Sequence, residues 1–308
     1  MFNRESYTST RINIVRPVDP ITAIVKTTGS CMNGKSASFV RHIDIDLSGT
    51  PLAGTFVAGQ SIAVIPPGLR ENGKPEKARL YSISSATNGA DGEGQVVSIC
   101  VKRVIDEYVQ QHSNDPVRNT LFLGKCSNYL CDLHVGDEVR VAGPSGKRFV
   151  LPSDQRAYRY LFLATGTGIA PYRGFIGDLL HSGALEKGTE VHLLMGVPYT
   201  TDLLYHPELI ALADQYPNFH YDWALSREAA GTLTRRAYLP ELIKSIEGVQ
   251  TMLNEENTLM YICGLAGMQR GVYDTLLDLS LEGPYLKSVN SGERRHIRAN
   301  SRCLVEVY

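Results

Sequence analysis

The 308-residue chain has little of what would set it apart from an ordinary globular protein. Its net charge is only −1, so no bulk basic surface argues for nucleic acid as a partner. It has no apolar run approaching the roughly 18 to 20 residues that span a bilayer. The stretch from Met1 to Arg11 lacks the apolar core of a secretory signal and is expected to be a frayed terminus. Six cysteines are present, but no two form a C-x-x-C pair, which argues against a secreted disulfide framework. Cys126 and Cys131 match the first half of a plant-type iron–sulfur spacing. The next ligand would fall on His134, so no cluster and no metal centre are expected. Internal repeats, coiled-coil heptads and low-complexity tracts are also missing.

What is present is a change of rhythm near residue 153. Between about Pro20 and Leu151, short β-rich runs stand among Gly, Asn, Ser and Pro stretches. They fall at Thr22–Lys26, Val40–Ile45, Ser61–Ile65, Leu80–Ser84, Val96–Val101 and Glu138–Ala142, the pattern of a compact antiparallel barrel. Tyr108–Val117 reads as a short helix or a loop, and Gly136-Asp137 and Gly143-Pro144 read as tight turns. After Pro152, apolar strands are predicted at Tyr160–Ala164, Val191–Val197, His220–Leu225, Leu259–Cys263 and Leu304–Val307. Helices are predicted at Tyr172–Ser182, His206–Gln215, Leu239–Asn254 and Met268–Leu281. Such alternation implies a Rossmann-like parallel sheet with helices on both faces. The expected organisation is an extension over 1–19, an antiparallel β-barrel domain over 20–153 and an α/β domain over 154–308.

The first apolar strand of the second half runs into Thr165-Gly166-Thr167-Gly168-Ile169-Ala170-Pro171 and then a helix. Two glycines allow a tight turn and a close backbone approach to a ligand. The helix start aims free N–H groups and the positive end of its dipole at the same point. That is an anion site suited to a nucleotide pyrophosphate, although Pro171 stands near the place of the third glycine of G-x-G-x-x-G. A dinucleotide domain usually opens with this loop, so the β half before it is a separate module.

In the β half, strand alternation through Arg79-Leu80-Tyr81-Ser82-Ile83-Ser84 places Arg79, Tyr81 and Ile83 on one face. By physics alone this reads as an ordinary amphipathic strand. The Arg-x-Tyr-Ser stretch, however, resembles the flavin-binding strand of plant-type ferredoxin–NADP+ reductases, and with the glycine loop it shows that family's order and separation. Cys100-Val101-Lys102-Arg103 resembles the family's next flavin-domain strand. Gly124-Lys125-Cys126-Ser127-Asn128 resembles its flavin-pyrophosphate segment, which implies FAD rather than FMN. Independently, Ser127 or Asn128 would make a good N-cap for an anion-facing helix.

The resemblance continues through the second half. Alongside Thr167 and Gly168, Gly196-Val197-Pro198 and Leu203-Leu204-Tyr205 match a segment lining the dinucleotide cleft. Ser226-Arg227, with Arg236 and Tyr238 ten and twelve positions after the serine, matches the family's grip on the 2′-phosphate and implies NADP(H) rather than NAD(H). Tyr261-Ile262-Cys263-Gly264-Leu265-Ala266-Gly267-Met268 resembles the family's Y-x-C-G-L-x-G-M stretch. This implies that Cys263, Gly264, Leu265 and Met268 lie near the nicotinamide. Nothing near Cys263 in sequence supplies a base, so it is not read as a nucleophile. At the end of the chain, Tyr308 is implied to cover the flavin face and Glu306 to line the same site.

Some positions depart from the family pattern. Asp106 stands where an adenine-stacking tyrosine is expected, with Tyr108 as a possible substitute in a lengthened 106–122 segment. Pro240 replaces a glutamine that supports the 2′-phosphate, and the basic run Ser288–Arg302 replaces a helix. That run is either a solvated loop or a contact for an acidic partner.

The resemblance implies an FAD-dependent NADP(H) oxidoreductase exchanging a hydride with NADP(H) and single electrons with ferredoxin or flavodoxin. Ser82, Cys263, Glu306 and Tyr308 are its expected catalytic residues. Arg79, Tyr81, Ser82, Cys100, Lys102, Cys126, Ser127 and Tyr308 are expected to hold FAD. Lys102, Arg103, Lys125 and Arg148 could dock the acidic carrier. A cytoplasmic or plastid-stromal location is expected. The alternatives are a reductase component dedicated to one oxygenase or desaturase, a nucleotide-sensing subunit without turnover, and an NADP dehydrogenase without flavin.

Overall fold

The computed structural model describes residues 7–108, 120–291 and 294–308. Its first half contains β1 (Ile21–Ser30), β2 (Val40–Asp46), β3 (Ser61–Ile65), β4 (Arg79–Ser82) and β5 (Val96–Lys102). These are followed by β6 (Ile105–Tyr108), β7 (Thr120–Leu123), α1 (Lys125–Asp132) and β8 (Glu138–Ser145). Six of the strands form one antiparallel sheet in the order β4-β3-β8-β1-β2-β5. A bridge between Ile83 and Ile99, with Ser84 N–H donating to Ser98 O at 2.8 Å, joins the two edges and closes the sheet into a barrel. Alternate residues fill it, among them Val25, Ile43, Ile45, Ile99, Val101 and Val141.

Three expectations change in this half. The stretch expected to fray, Met1 to Arg11, lies outside the described residues up to residue 6 and is docked from residue 7: Thr8 N–H donates to Leu151 O at 3.1 Å, and just beyond it Val15 exchanges two backbone hydrogen bonds with Gly143. That pairing also makes Gly143-Pro144 part of β8 instead of a turn, with a cis peptide between them. Part of the 106–122 segment is a two-stranded ladder, β6 with β7. The predicted element at 108–117 lies mostly outside the described residues, as does the side chain of Tyr108.

The second half contains β9 (Arg159–Thr165), α2 (Ala170–His181), β10 (Val191–Val197), α3 (His206–Gln215) and β11 (Phe219–Leu225). It continues through α4 (Leu239–Ser245), α5 (Glu247–Asn254), β12 (Thr258–Gly264), α6 (Ala266–Asp278) and α7 (Glu282–Tyr285). It ends with β13 (Leu286–Ser291), β14 (Arg294–Ala299) and β15 (Cys303–Val307). The sheet is parallel throughout, ordered β11-β10-β9-β12-β15. Period-two alternation divides β9 between two cores: Tyr160, Phe162 and Ala164 pack with α2 and α3, while Leu161 and Leu163 pack with α4, α5 and α6.

The helix predicted over 239–254 is two helices, because Ile246 is extended (φ −93, ψ 109). The basic run expected as a loop or docking segment is largely the β13–β14 hairpin, and its last arginine points inward. Arg302 Nε donates to Thr258 O at 3.0 Å, and its guanidinium lies 4.8 Å from the centre of the Tyr285 ring. No helix among the described residues is long and apolar enough to cross a membrane.

The two halves share a core. Phe149 from the first packs with Tyr172, Phe175 and Tyr261 from the second, at centroid distances of 5.4 to 6.1 Å. Helix α2 lies directly on the barrel because it carries glycine there. A Cβ on Gly174 would stand 2.6 Å from Ser85 O, and one on Gly177 would stand 2.8 Å from Ala86 Cβ. Asp178 then accepts from Thr87 N at 2.6 Å and from Thr87 Oγ1 at 2.7 Å.

Candidate active site

The glycine loop forms a single 3₁₀ turn, Gly166–Ile169, before α2 begins. Its two glycines do different jobs. Gly166 has φ +53 and no atom near its missing Cβ, so it makes the turn. A Cβ on Gly168 would instead overlap the Cys263 carbonyl, so that glycine serves packing against β12 rather than ligand approach. Gly264, at φ +135, fits equally closely against Thr165, whose hydroxyl accepts from Leu265 N–H at 2.9 Å. Thr165 opens the glycine-loop motif in the sequence, but its hydrogen bond with Leu265, 100 residues on, had no sequence signal.

These loops open onto a cleft of about 950 Å³ at the C-terminal edge of the parallel sheet. Thr165, Gly166 and Thr167 line one wall, with Gly196-Val197-Pro198, Ser226 and Tyr238 further along, and Leu265 and Met268 opposite. Ala237 N–H donates to Leu225 O at 2.9 Å, which sets Arg236 and Tyr238 beside Ser226. Arg227 and Arg236 are exposed, and the Arg227 guanidinium sits 5.7 Å from the centre of the Tyr199 ring. Glu228 holds this corner by accepting from Thr200 N at 2.8 Å and Thr200 Oγ1 at 2.6 Å. Pro240 and Lys244 also line the cleft, and Lys244 pairs with Asp278 at 2.7 Å.

At its inner end the cleft meets the barrel. The β12–β15 register places Glu306 beside Cys263, and Tyr308 N–H donates to Gly264 O at 3.0 Å. Tyr308 is 62% exposed as a residue, and its hydroxyl lies 2.6 Å from Thr167 Oγ1. Glu306 Oε1 accepts from Ser61 Oγ at 3.4 Å, and Ser61 is the register partner of Ser82 on β4. Burial raises the Glu306 pKa, with the Ser61 hydrogen bond opposing. Cys263 is 1% exposed, and burial pushes its thiol well up, so it stays neutral. One line of side chains thus runs from β4 through Ser61 and Glu306 to Cys263 and Tyr308. Ser61 was not legible, since its only signal is its pairing with Ser82.

Other predicted residues lie at the margins. Arg79 is exposed and donates to Lys77 O and Ala78 O, both at 3.2 Å. Tyr81 is half-buried, with the Cys126 thiol at its hydroxyl. Cys126 and Cys100 have buried side chains: Cys126 Sγ donates to Val64 O at 3.8 Å, and Cys100 Sγ lies 3.8 Å from Cys31 Sγ. The N-cap of α1 is Gly124, not Ser127 or Asn128. Both of those sit inside the first turn, and Ser127 Oγ donates back to Gly124 O at 3.1 Å. Of the four docking candidates, Arg103 already pairs with Asp132 at 2.5 Å and Lys125 with Glu76 at 2.6 Å. Lys102 and Arg148 are exposed, and Lys102, at the end of β5, is not marginal but lines the cleft.

An antiparallel barrel set against a parallel sheet, with a nucleotide-sized cleft ending at a barrel strand, defines a two-domain nicotinamide-dependent oxidoreductase. Comparisons with known proteins make this specific. Residues 162–274 match the family model described as the oxidoreductase NAD-binding domain. A ferredoxin–NADP reductase from Spirulina sp is 36% identical over 266 residues, 85% of this chain and 87% of the relative. The embryo isozyme of the chloroplastic enzyme from Oryza sativa subsp. japonica is 36% identical over 270 residues, 86% and 70% of the respective chains. The solved ferredoxin–NADP+ reductase from Plasmodium falciparum superposes with a TM-score of 0.71 at 24% identity, covering 98% of this chain and all of that one. A second structure of that protein, with 2′P-AMP, gives 0.70 at 25% identity, over 97% of this chain and 100% of the other. The chain belongs to the ferredoxin–NADP reductase family.

Proposed function

We propose that this protein is an FAD-dependent NADP(H) oxidoreductase that exchanges a hydride with NADP(H) and single electrons with ferredoxin. The observation that carries the reading is the meeting of the two modules at β15: Glu306 accepts from Ser61 of the barrel, and, two residues on, the Tyr308 hydroxyl touches the glycine loop. The residues there suit a flavin: two tyrosines, Tyr81 and Tyr308, offer aromatic faces, and Ser82 and half-buried Glu306 offer polar groups at one edge. When bound, the flavin supplies the step between two-electron and one-electron transfer.

The chain's own residues bind, orient and exclude water. Arg79 and the N-terminal amides of α1 take the phosphates of FAD, and Cys100, Lys102, Cys126 and Ser127 contribute mainly main-chain groups and wall. Thr167 and Gly166 seat the pyrophosphate of NADP(H), while Gly196-Val197-Pro198, Leu265 and Met268 form the walls. Ser226, Arg227, Arg236 and Tyr238 hold the 2′-phosphate and adenine. The uncharged thiol of Cys263 and the backbone of Gly264 position the nicotinamide, and Glu306 holds a proton near the reacting ring. With flavin bound, Tyr308 would cover its face and give up that place to nicotinamide. An acidic ferredoxin, or a flavodoxin in its place, docks near Lys102 and Arg148. The chain works in the cytoplasm or a plastid stroma.

Truncating Arg227 and Arg236 to alanine tests the cofactor assignment. The KM for NADPH should rise at least about 10-fold per arginine, with little change for NADH, because each supplies charge-assisted hydrogen bonds to a group NADH lacks. Equal effects on both cofactors would refute it.

A further inference from the structure

At the opposite edge of the parallel sheet, three potential ligands converge that the cofactor site does not use. His192 on β10 and His220 on β11 are register partners, and their rings stack with centroids 4.3 Å apart. Glu190, two residues before His192, projects to the same face. One donor atom from each of the three lies within 4.8 Å of the other two. His192 is 3% exposed, yet neither ring nitrogen has a hydrogen-bond partner. A buried imidazole with both nitrogens unpartnered is rare, because each loses water without replacement. Helix α5 accommodates the ring with a glycine: a Cβ on Gly248 would stand 3.1 Å from His192 Cε1. The Glu190 carboxylate is divided between two neighbours. Oε2 pairs with Arg159, and Oε1 faces His192 Nε2 at 3.5 Å, beyond hydrogen-bond contact.

We propose that Glu190, His192 and His220 form a binding site for a divalent transition-metal ion of the zinc type. Two imidazoles and one carboxylate are a donor set that zinc favours, and half-buried His220 leaves a fourth position open to water. Ligand bonds of about 2.0–2.2 Å in a tetrahedron require donor separations of about 3.4 Å, which modest side-chain rotation supplies. Arg159 orients the carboxylate from behind, as outer partners of metal ligands do. The site is about 16 Å along β10 from Val197 at the cleft, at roughly 3.3 Å per residue, so the ion ties β10 to β11 rather than entering the redox chemistry.

The test uses the full chain as purified, treated with chelator and then dialysed against ZnCl₂ or CoCl₂. We expect one ion per chain, a Tm that rises with zinc, and a cobalt spectrum without thiolate charge-transfer bands. His220→Ala and Glu190→Gln should each weaken binding at least 10-fold and abolish the zinc-dependent rise in Tm, while NADPH oxidation is unchanged. His220 and Glu190 are both partly exposed, so these variants should fold. Absence of a stoichiometric ion at micromolar zinc, unchanged affinity in both variants, or a thiolate band placing the ion on cysteine would each overturn the proposal.

Discussion

Glu306 has a carboxyl in surroundings that disfavour its charge. Burial raises its pKa and the single hydrogen bond from Ser61 only partly offsets this, so the acid keeps its proton above the ordinary carboxylate range. It can therefore hold a proton where a surface glutamate would have lost it. Glu306→Gln should lower kcat by about 10²-fold with KM for NADPH within about 2-fold, and should remove the fall in activity as pH rises through the raised pKa. Steady-state kinetics across pH would show both. Asp44 is the opposite case. Burial works against its charge, but hydrogen bonds from His42 at 2.9 Å and from Ser98 and Thr27 at 2.5 Å outweigh it and hold its pKa below the usual range. A carboxyl depressed in the fold contributes stability above its unfolded pKa of about 3.9, and this is lost as pH falls through the folded value. Asp44→Asn should cost about 1–3 kcal/mol at neutral pH and flatten the acid side of a Tm–pH curve.

At the scale of elements, α2 connects the two modules. It leaves the glycine loop and meets the barrel at Ser85 and Ala86 through Gly174 and Gly177. Gly174→Val would push the helix off the barrel, costing about 1–3 kcal/mol and lowering kcat by moving the glycine loop away from the barrel. Thermal melts and NADPH-dependent turnover would register the two effects separately. Such contacts explain what the sequence hid. Strand β10 and helix α3 were legible to the residue, because Val191–Val197 is a continuous apolar run and His206 precedes a clear helical stripe. The break at Ile246 was not, because Ile243 and Val249 keep the same face apolar across it. The β13–β14 hairpin was hidden by its charge, and Gly174 and Gly177 looked like ordinary helical residues until their neighbours were known. Around the cleft, Ser226 stands where its motif put it, at the end of β11, whereas the contacts of Ser61 with Glu306 and of Thr165 with Leu265 arise only from tertiary pairing.

At the scale of the molecule, the barrel and the parallel sheet share the aromatic core around Phe149, Tyr172, Phe175 and Tyr261, so the cleft of the sheet is held firmly against the barrel. The central claim is that NADPH in the cleft would give a hydride directly to a flavin held at the barrel end of that cleft, the two electrons then leaving one at a time and the proton passing to solvent. The most direct measurement is anaerobic mixing of the purified, FAD-loaded protein with NADPH, followed by oxidised ferredoxin, while visible absorbance is recorded. The account predicts a flavin spectrum that bleaches with NADPH much faster than with NADH and recovers as ferredoxin is reduced. A colourless protein, or a flavin that NADPH leaves oxidised, would contradict it.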